Sequence, residues 1–223
     1  MTLANLLARS ARAVRAARVA GLLAYAALVF GGRALGAQDQ PDRTLPAQLS
    51  AATRAQLERI IDSARVAGLP VDPLYSKVRE GVFRSADEPR VVAAVQRLGR
   101  DLGDARAALG DSARPEEVAA GANALRAGIR AADLTRLRDA RTRRPDHPLT
   151  VALVVLADLA TRGVPPSLAA ASVNELVSRN VSDGSLMSFR QDVERDLVGG
   201  RSPASALDAR TRSMIDEVER RRP

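Results

Sequence analysis

The residues that could do chemistry are few. His147, the single histidine, stands in the turn RRPDHP at 143–148, beside Asp146. With one imidazole and no cysteine, the chain lacks the multi-histidine and His/Cys sets that hold zinc. A sequence neighbour does not orient a base either, because triads are defined by spatial geometry. His147 is expected to be an exposed loop residue. Paired carboxylates are the remaining option, since helical glycosidases need only two acids. Asp192 and Asp196 lie at i and i+4, which puts them on one helix face, with Glu194 on another and Arg190 and Arg195 nearby. A helix so dense in charge reads first as a solvated face. A sugar cleft would also show stacking aromatics, and residues 38–223 contain only Tyr75, Phe83 and Phe189. No G-x-S-x-G, Walker A or G-x-G-x-x-G pattern occurs. Gly199-Gly200 before Ser202-Pro203 reads as the end of one helix and the cap of the next rather than as an anion site. The sequence therefore nominates no catalytic, cofactor-binding or metal-ligating residue, and no cofactor is expected.

The elements around these residues begin with a leader. Arg9, Arg12, Arg15 and Arg18 precede the apolar run Val19 to Gly32, and small residues follow at Ala34, Gly36 and Ala37. Basic, apolar, then cleavable is the order of a secretory signal peptide. The run is too short for a typical spanning helix and suits a signal h-region. A lipoprotein anchor would need a cysteine. Cleavage is expected after Gly36 or after Ala37, and the remainder is expected to be exported, periplasmic or extracellular. An uncleaved, tilted leader is the only membrane association this reading allows.

Charge adds little to this picture. Removing residues 1–37, with their five arginines and no acid, takes the formal charge from +8 to +3. The acids are interleaved with the arginines, so nucleic acid is not the expected partner. The clustered tail Arg220, Arg221 and Arg222 is expected to be solvated. Scarce aromatics remove both stacking platforms and the usual interface anchors.

From Ser50 onward apolar residues recur at three and four, and no stretch alternates with period two. The spacing predicts helices near 50–67, 73–81, 88–109, 115–127, 131–141, 148–162, 166–179, 183–198 and 203–220. Glycines past helix ends (Gly68, Gly110, Gly128, Gly163, Gly199) and prolines in first turns (Pro73, Pro89, Pro115, Pro148, Pro166, Pro203) set these bounds. Residues 38–49 read as a linker. The expected fold is all-α: a compact multi-helix domain over 50–220.

The chain also resembles itself. Residues 68–105 lie on 163–200 without a gap, and ten of the 38 positions are identical. GLP at 68–70 meets GVP at 163–165, and RDL at 100–102 meets RDL at 195–197. This predicts a duplicated helical unit and a pseudo-symmetric domain. Glu80 with Arg84, and Glu175 with Arg179, are spaced as i,i+4 ion pairs. Asp101 and Asp196 sit late in long helices, where the dipole disfavours an acid, so each is expected to have a partner such as an arginine on a packed helix. Arg100 and Arg195 recur beside them.

In composition the chain resembles exported, Arg- and Ala-rich helical proteins of GC-rich bacteria, a likeness that attaches to no particular residue. The expected function is that of a non-enzymatic binding or scaffold module of the cell envelope, with a protein or envelope component as partner. The alternatives are a carboxylate-dependent helical hydrolase using Asp192 and Asp196, and association with an anionic polymer or lipid through the Arg-rich C-terminus.

Overall fold

Helix-stop glycines and first-turn prolines set the architecture. In this computed structural model, residues 43–141 and 147–220 are described, and they fold as α-helices joined by short turns. The leader with Gly36 and Ala37, the start of the linker, residues 142–146 (with Asp146), and Arg221 and Arg222 lie outside the described residues.

Three helices open the fold: α1 (Ala51–Val66), α2 (Asp72–Phe83) and α3 (Glu88–Leu109). Ser50 caps α1 by accepting the Thr53 N–H at 3.2 Å, and Leu57, Ile61 and Ala64 line its buried stripe. Both α1 and α2 pack on α3. At one end Glu88 accepts the Ser50 N–H at 2.7 Å and the Ser50 hydroxyl at 2.6 Å. At the other, Arg106 Nη2 donates to the Gly68 carbonyl at 3.2 Å.

Next come α4 (Pro115–Arg126) and the short α5 (Ala131–Ala140). α4 is central and packs on both α3 and α6 (Thr150–Thr161). Small residues permit this. A Cβ on Gly121 would stand 3.0 Å from Leu109 Cδ1 and 3.2 Å from Ala105 Cβ, so glycine lets α3 and α4 approach closely. α5 bridges α3 and α7 (Pro166–Ser178). The run VALVVL is helical within α6, with Ala152, Leu153, Val155, Leu156 and Leu159 buried.

The chain closes with α8 (Asp183–Val198), packed on α6, and α9 (Pro203–Arg220), packed on α7 and α8. One hydrophobic core runs through all nine of these helices. Burying each of its leucines contributes about 1.5–3 kcal/mol before entropy is counted.

Three local features differ from expectation. Pro148 stands before α6 rather than in its first turn, because the helix begins at Thr150. At the end of α8 the left-handed position falls on Gly200 (φ +86°), while Gly199 (φ −71°) is the cap residue itself. Within the segment read as a linker, Leu49 is buried and Leu45 packs against the core. Arg43 there also pairs with Asp72 at 2.8 Å.

Candidate functional site

The two carboxylates singled out for chemistry lie on α8, which Ser182 caps by accepting the Ser185 N–H at 3.2 Å. The chain then reverses through Gly199-Gly200 and lays α9 beside α8. That arrangement brings Arg210 to Asp196, with Nε and Nη2 each donating to the carboxylate at 2.8 Å. Arg201 adds a third bond at 3.2 Å. Asp196 is 8 % exposed. The hydrogen bonds from Arg210 hold its carboxyl below the ordinary range, against the opposing effect of burial. Asp192 pairs with Arg195 and stands 3.8 Å from Arg210, and Glu194 pairs with Arg162. A carboxylate kept ionised by guanidinium groups does not carry the proton that a general acid must donate near neutral pH.

Asp101 has the same sequence context and a different environment. It is half-buried in α3, and burial pushes its carboxyl up, with Asp104 assisting and Arg126, Arg100 and Arg97 opposing. Arg100 is exposed. α3 packs on α1, α2, α4 and α5, whereas α8 packs on α6 and α9. The two RDL segments therefore lie on helices with different packing partners.

The turns that match in sequence also match in backbone. Gly68 and Gly163 are both left-handed, with φ +68° and +89°. After them the Leu69 N–H donates to the Ala64 carbonyl at 2.9 Å, and the Val164 N–H to the Leu159 carbonyl at 3.1 Å. Glu80 pairs with Arg84 at 3.1 Å and Glu175 with Arg179 at 2.6 Å. Both pairs reach further: Lys77 donates to Glu80 at 2.8 Å, and Arg179 reaches Glu219 on α9 at 2.7 Å.

The chain's imidazole lies elsewhere, in a small cleft. Arg141, His147, Leu149, Asn180, Asp183 and Leu186 are among its lining residues, and its volume is about 30 Å³. His147 lies in the loop before α6, as expected, but is half-buried there, with Nε2 3.9 Å from Asp183 Oδ1. Its Nδ1 lies 3.2 Å from the Pro148 carbonyl oxygen, a geometry in which the ring nitrogen donates.

Behind this cleft lies a group that the sequence reading missed. Glu117 is 1 % exposed. One carboxylate oxygen accepts the Leu149 N–H at 2.6 Å and Arg141 Nη1 at 2.9 Å. The other accepts the Arg114 N–H at 2.8 Å. Glu117 thus closes the start of α4, the start of α6 and the end of α5 at once. Asp133, also buried, takes Arg130 and Arg136 in the same manner. Both acids sit three residues into a helix, where a side chain can bond back to the cap N–H. That spacing was visible at Arg114-Pro115-Glu116-Glu117, although arginine is not a usual cap residue.

Among the described residues, no group of three or more His, Asp or Glu side chains is placed to hold a metal ion, and no helix is long and apolar enough to cross a membrane. No known family, curated protein or solved structure matches the chain.

Proposed function

We propose that this chain is an exported, non-enzymatic helical module of the bacterial cell envelope that binds or scaffolds a protein or envelope component. In this reading a cleaved leader delivers a domain built from two copies of one helical unit. The observation that carries it is the bidentate bond between Asp196 and Arg210. The most chemically suggestive acid of the sequence is committed to fastening α9 onto α8. Glu175 and Arg179, with Glu219, do the same between α7 and α9. The left-handed turns at Ser85 and Asn180, which match at the same offset and are the two non-glycine residues of that kind among those described, support the two-copy reading.

Two experiments test it. N-terminal sequencing of the protein recovered from a secreting host should begin at Ala37 or Gln38, and an intact Met1 would remove the leader from the proposal. Cross-linking of the purified mature protein in cell-envelope extracts should give a discrete adduct. Recovery of none, from extracts in which a control binding protein is captured, would overturn the binding role. D192N/D196N is the check on the hydrolase alternative: a hydrolytic activity abolished by it in a still-folded protein would replace this reading.

A further inference from the structure

We infer that the corner formed by the end of α4 and the start of α5, centred on Arg126, Arg130 and Arg136, is a docking face for an anionic phospholipid surface. Residues 126–141 hold five arginines against Asp133 and Asp139. That local excess of three equals the whole +3 of residues 38–223, so the rest of the exported chain is balanced in charge.

The fold turns part of this excess into an ordered surface. Asp133 is buried beneath α5 and accepts Arg130 Nε at 2.9 Å, Arg130 Nη2 at 3.1 Å and Arg136 Nη1 at 2.7 Å. The Asp133 side chain is 4 % exposed, while those of Arg130 and Arg136 are 66 % and 64 % exposed. One sunken carboxylate therefore fixes two outward guanidinium groups and leaves a net positive charge between them. Guanidinium N–H groups donate well to phosphate oxygens, Arg130 and Arg136 through those not spent on Asp133, and less rotamer freedom is lost on contact when the side chains are already held in place.

Arg126, exposed at the end of α4, stands across the Gly128 turn from Arg130. The acids facing this corner have further basic company: Lys77 and Arg84 share Glu80 with Arg126, and Arg97 and Arg100 share Asp101 with it. Glu80 and Asp101 are within electrostatic reach of Arg126, and Asp139 is bound to Arg138 at 2.8 Å. An apolar shoulder adjoins the cluster. A Cβ on Gly128 would lie 3.3 Å from Pro166, which begins α7, and Leu168 of α7 is 39 % exposed. By contrast, Arg220 of the tail turns its Nε back to the Asp216 carbonyl at 3.2 Å, and its neighbours in sequence include Glu217 and Glu219.

Clustered basic side chains bind anionic bilayers through summed electrostatic attraction. Single-stranded nucleic acid fits less well, because none of the chain's aromatics lies in α4 or α5 to stack on a base. The inference rests on the export reading in one respect: the leader would bring the domain to a membrane face.

The test is co-sedimentation of purified residues 38–223 with vesicles of phosphatidylcholine alone or with about 30 mol % phosphatidylglycerol, a typical anionic mixture. Binding is expected only to the anionic vesicles and should be abolished by high salt. R126Q/R130Q/R136Q should weaken it by at least about tenfold. R126K/R130K/R136K, which keeps the charge, should retain most of it, and R220Q/R221Q/R222Q should bind as wild type. Circular dichroism shows whether each variant is folded. Equal binding to neutral vesicles, full binding by the folded glutamine variant, or loss only in the tail variant would overturn the assignment. So would tighter binding to duplex DNA at the same phosphate concentration. Vesicle binding does not depend on leader cleavage, so an uncleaved Met1 would sink the export reading and leave this result standing.

Discussion

Ser85 and Asn180 adopt the same left-handed backbone, with φ +52° and +59°, and are the only non-glycine residues among those described to do so. They meet at the offset that lays 68–105 on 163–200. Each follows the helix end that carries the Glu–Arg pair, and each precedes a matching hydrogen bond, Ala86 N–H to Gly81 O at 3.0 Å and Val181 N–H to Leu176 O at 3.1 Å. A left-handed residue with a Cβ costs roughly 1–2 kcal/mol, less for asparagine. Glycine removes that cost and adds chain entropy to the unfolded state. S85G should therefore stabilise by about 0.5–1 kcal/mol, and N180G by less. Urea denaturation checks this, and a loss of stability in S85G would show that the serine side chain does more than occupy the turn.

Asp101 and Asp196 should respond in opposite directions to the same substitution. Arg210 holds the Asp196 carboxyl down, so its ionised form stabilises the fold, and D196N should lower Tm by several degrees at pH 7. Burial holds the Asp101 carboxyl up. A raised value stabilises only below the unfolded-state pKa, and that contribution is lost as pH rises through the folded value. At pH 7 the wild type carries the cost of an ionised, half-buried acid. D101N should raise Tm there by about 1–2 °C and change nothing near pH 3. Calorimetry at the two pH values decides it.

Glu117 should be among the most sensitive side chains in the molecule. E117A strands the Arg141 guanidinium and the Leu149 N–H in a buried place, and losing one partner of a buried ion pair costs about 3–5 kcal/mol. E117Q keeps an acceptor and should lose less. Urea midpoints compared at equal m-value measure the difference, and near-neutral effects of both variants would rule out the role given to Glu117 here.

Acid should unfold the protein partly through Asp133. Its carboxyl is held down by the Arg130 hydrogen bonds, with burial opposing and Arg136 assisting. Stabilisation is then complete above the unfolded-state value, about 4, and is lost as pH falls through the lower folded value. Between about pH 4 and pH 2 the wild type should lose Tm more steeply than D133N. Parallel curves for the two proteins would contradict this.

The helices were largely legible because glycine and proline mark their ends chemically. Gly68, Gly128 and Gly163 are all left-handed, as a helix-ending position favours, and Gly110 takes a positive φ that also favours glycine. Pro148 misled because one more residue, Leu149, intervenes before α6 starts at Thr150 and gives its N–H to Glu117. The polar partnerships were much less legible. Glu88 meets Ser50 and Thr53, and Asp196 meets Arg210, only after separate helices have packed. Identical RDL letters say nothing about which copy will find a guanidinium across an interface. His147 looked isolated for the same reason, since Asp183 reaches it only through the packing of α8 on α6.

The Glu117 junction has a bearing on how the chain could be divided. Cutting at the α5–α6 loop would separate a carboxylate from the backbone amide it holds, and would strip the central α4 of one of the two helices against which it lies. Neither fragment would be expected to stand as an independent folding unit, and expressing the two pieces together should restore structure only if they find each other. If the halves arose by copying, their union has since become a mutual dependence.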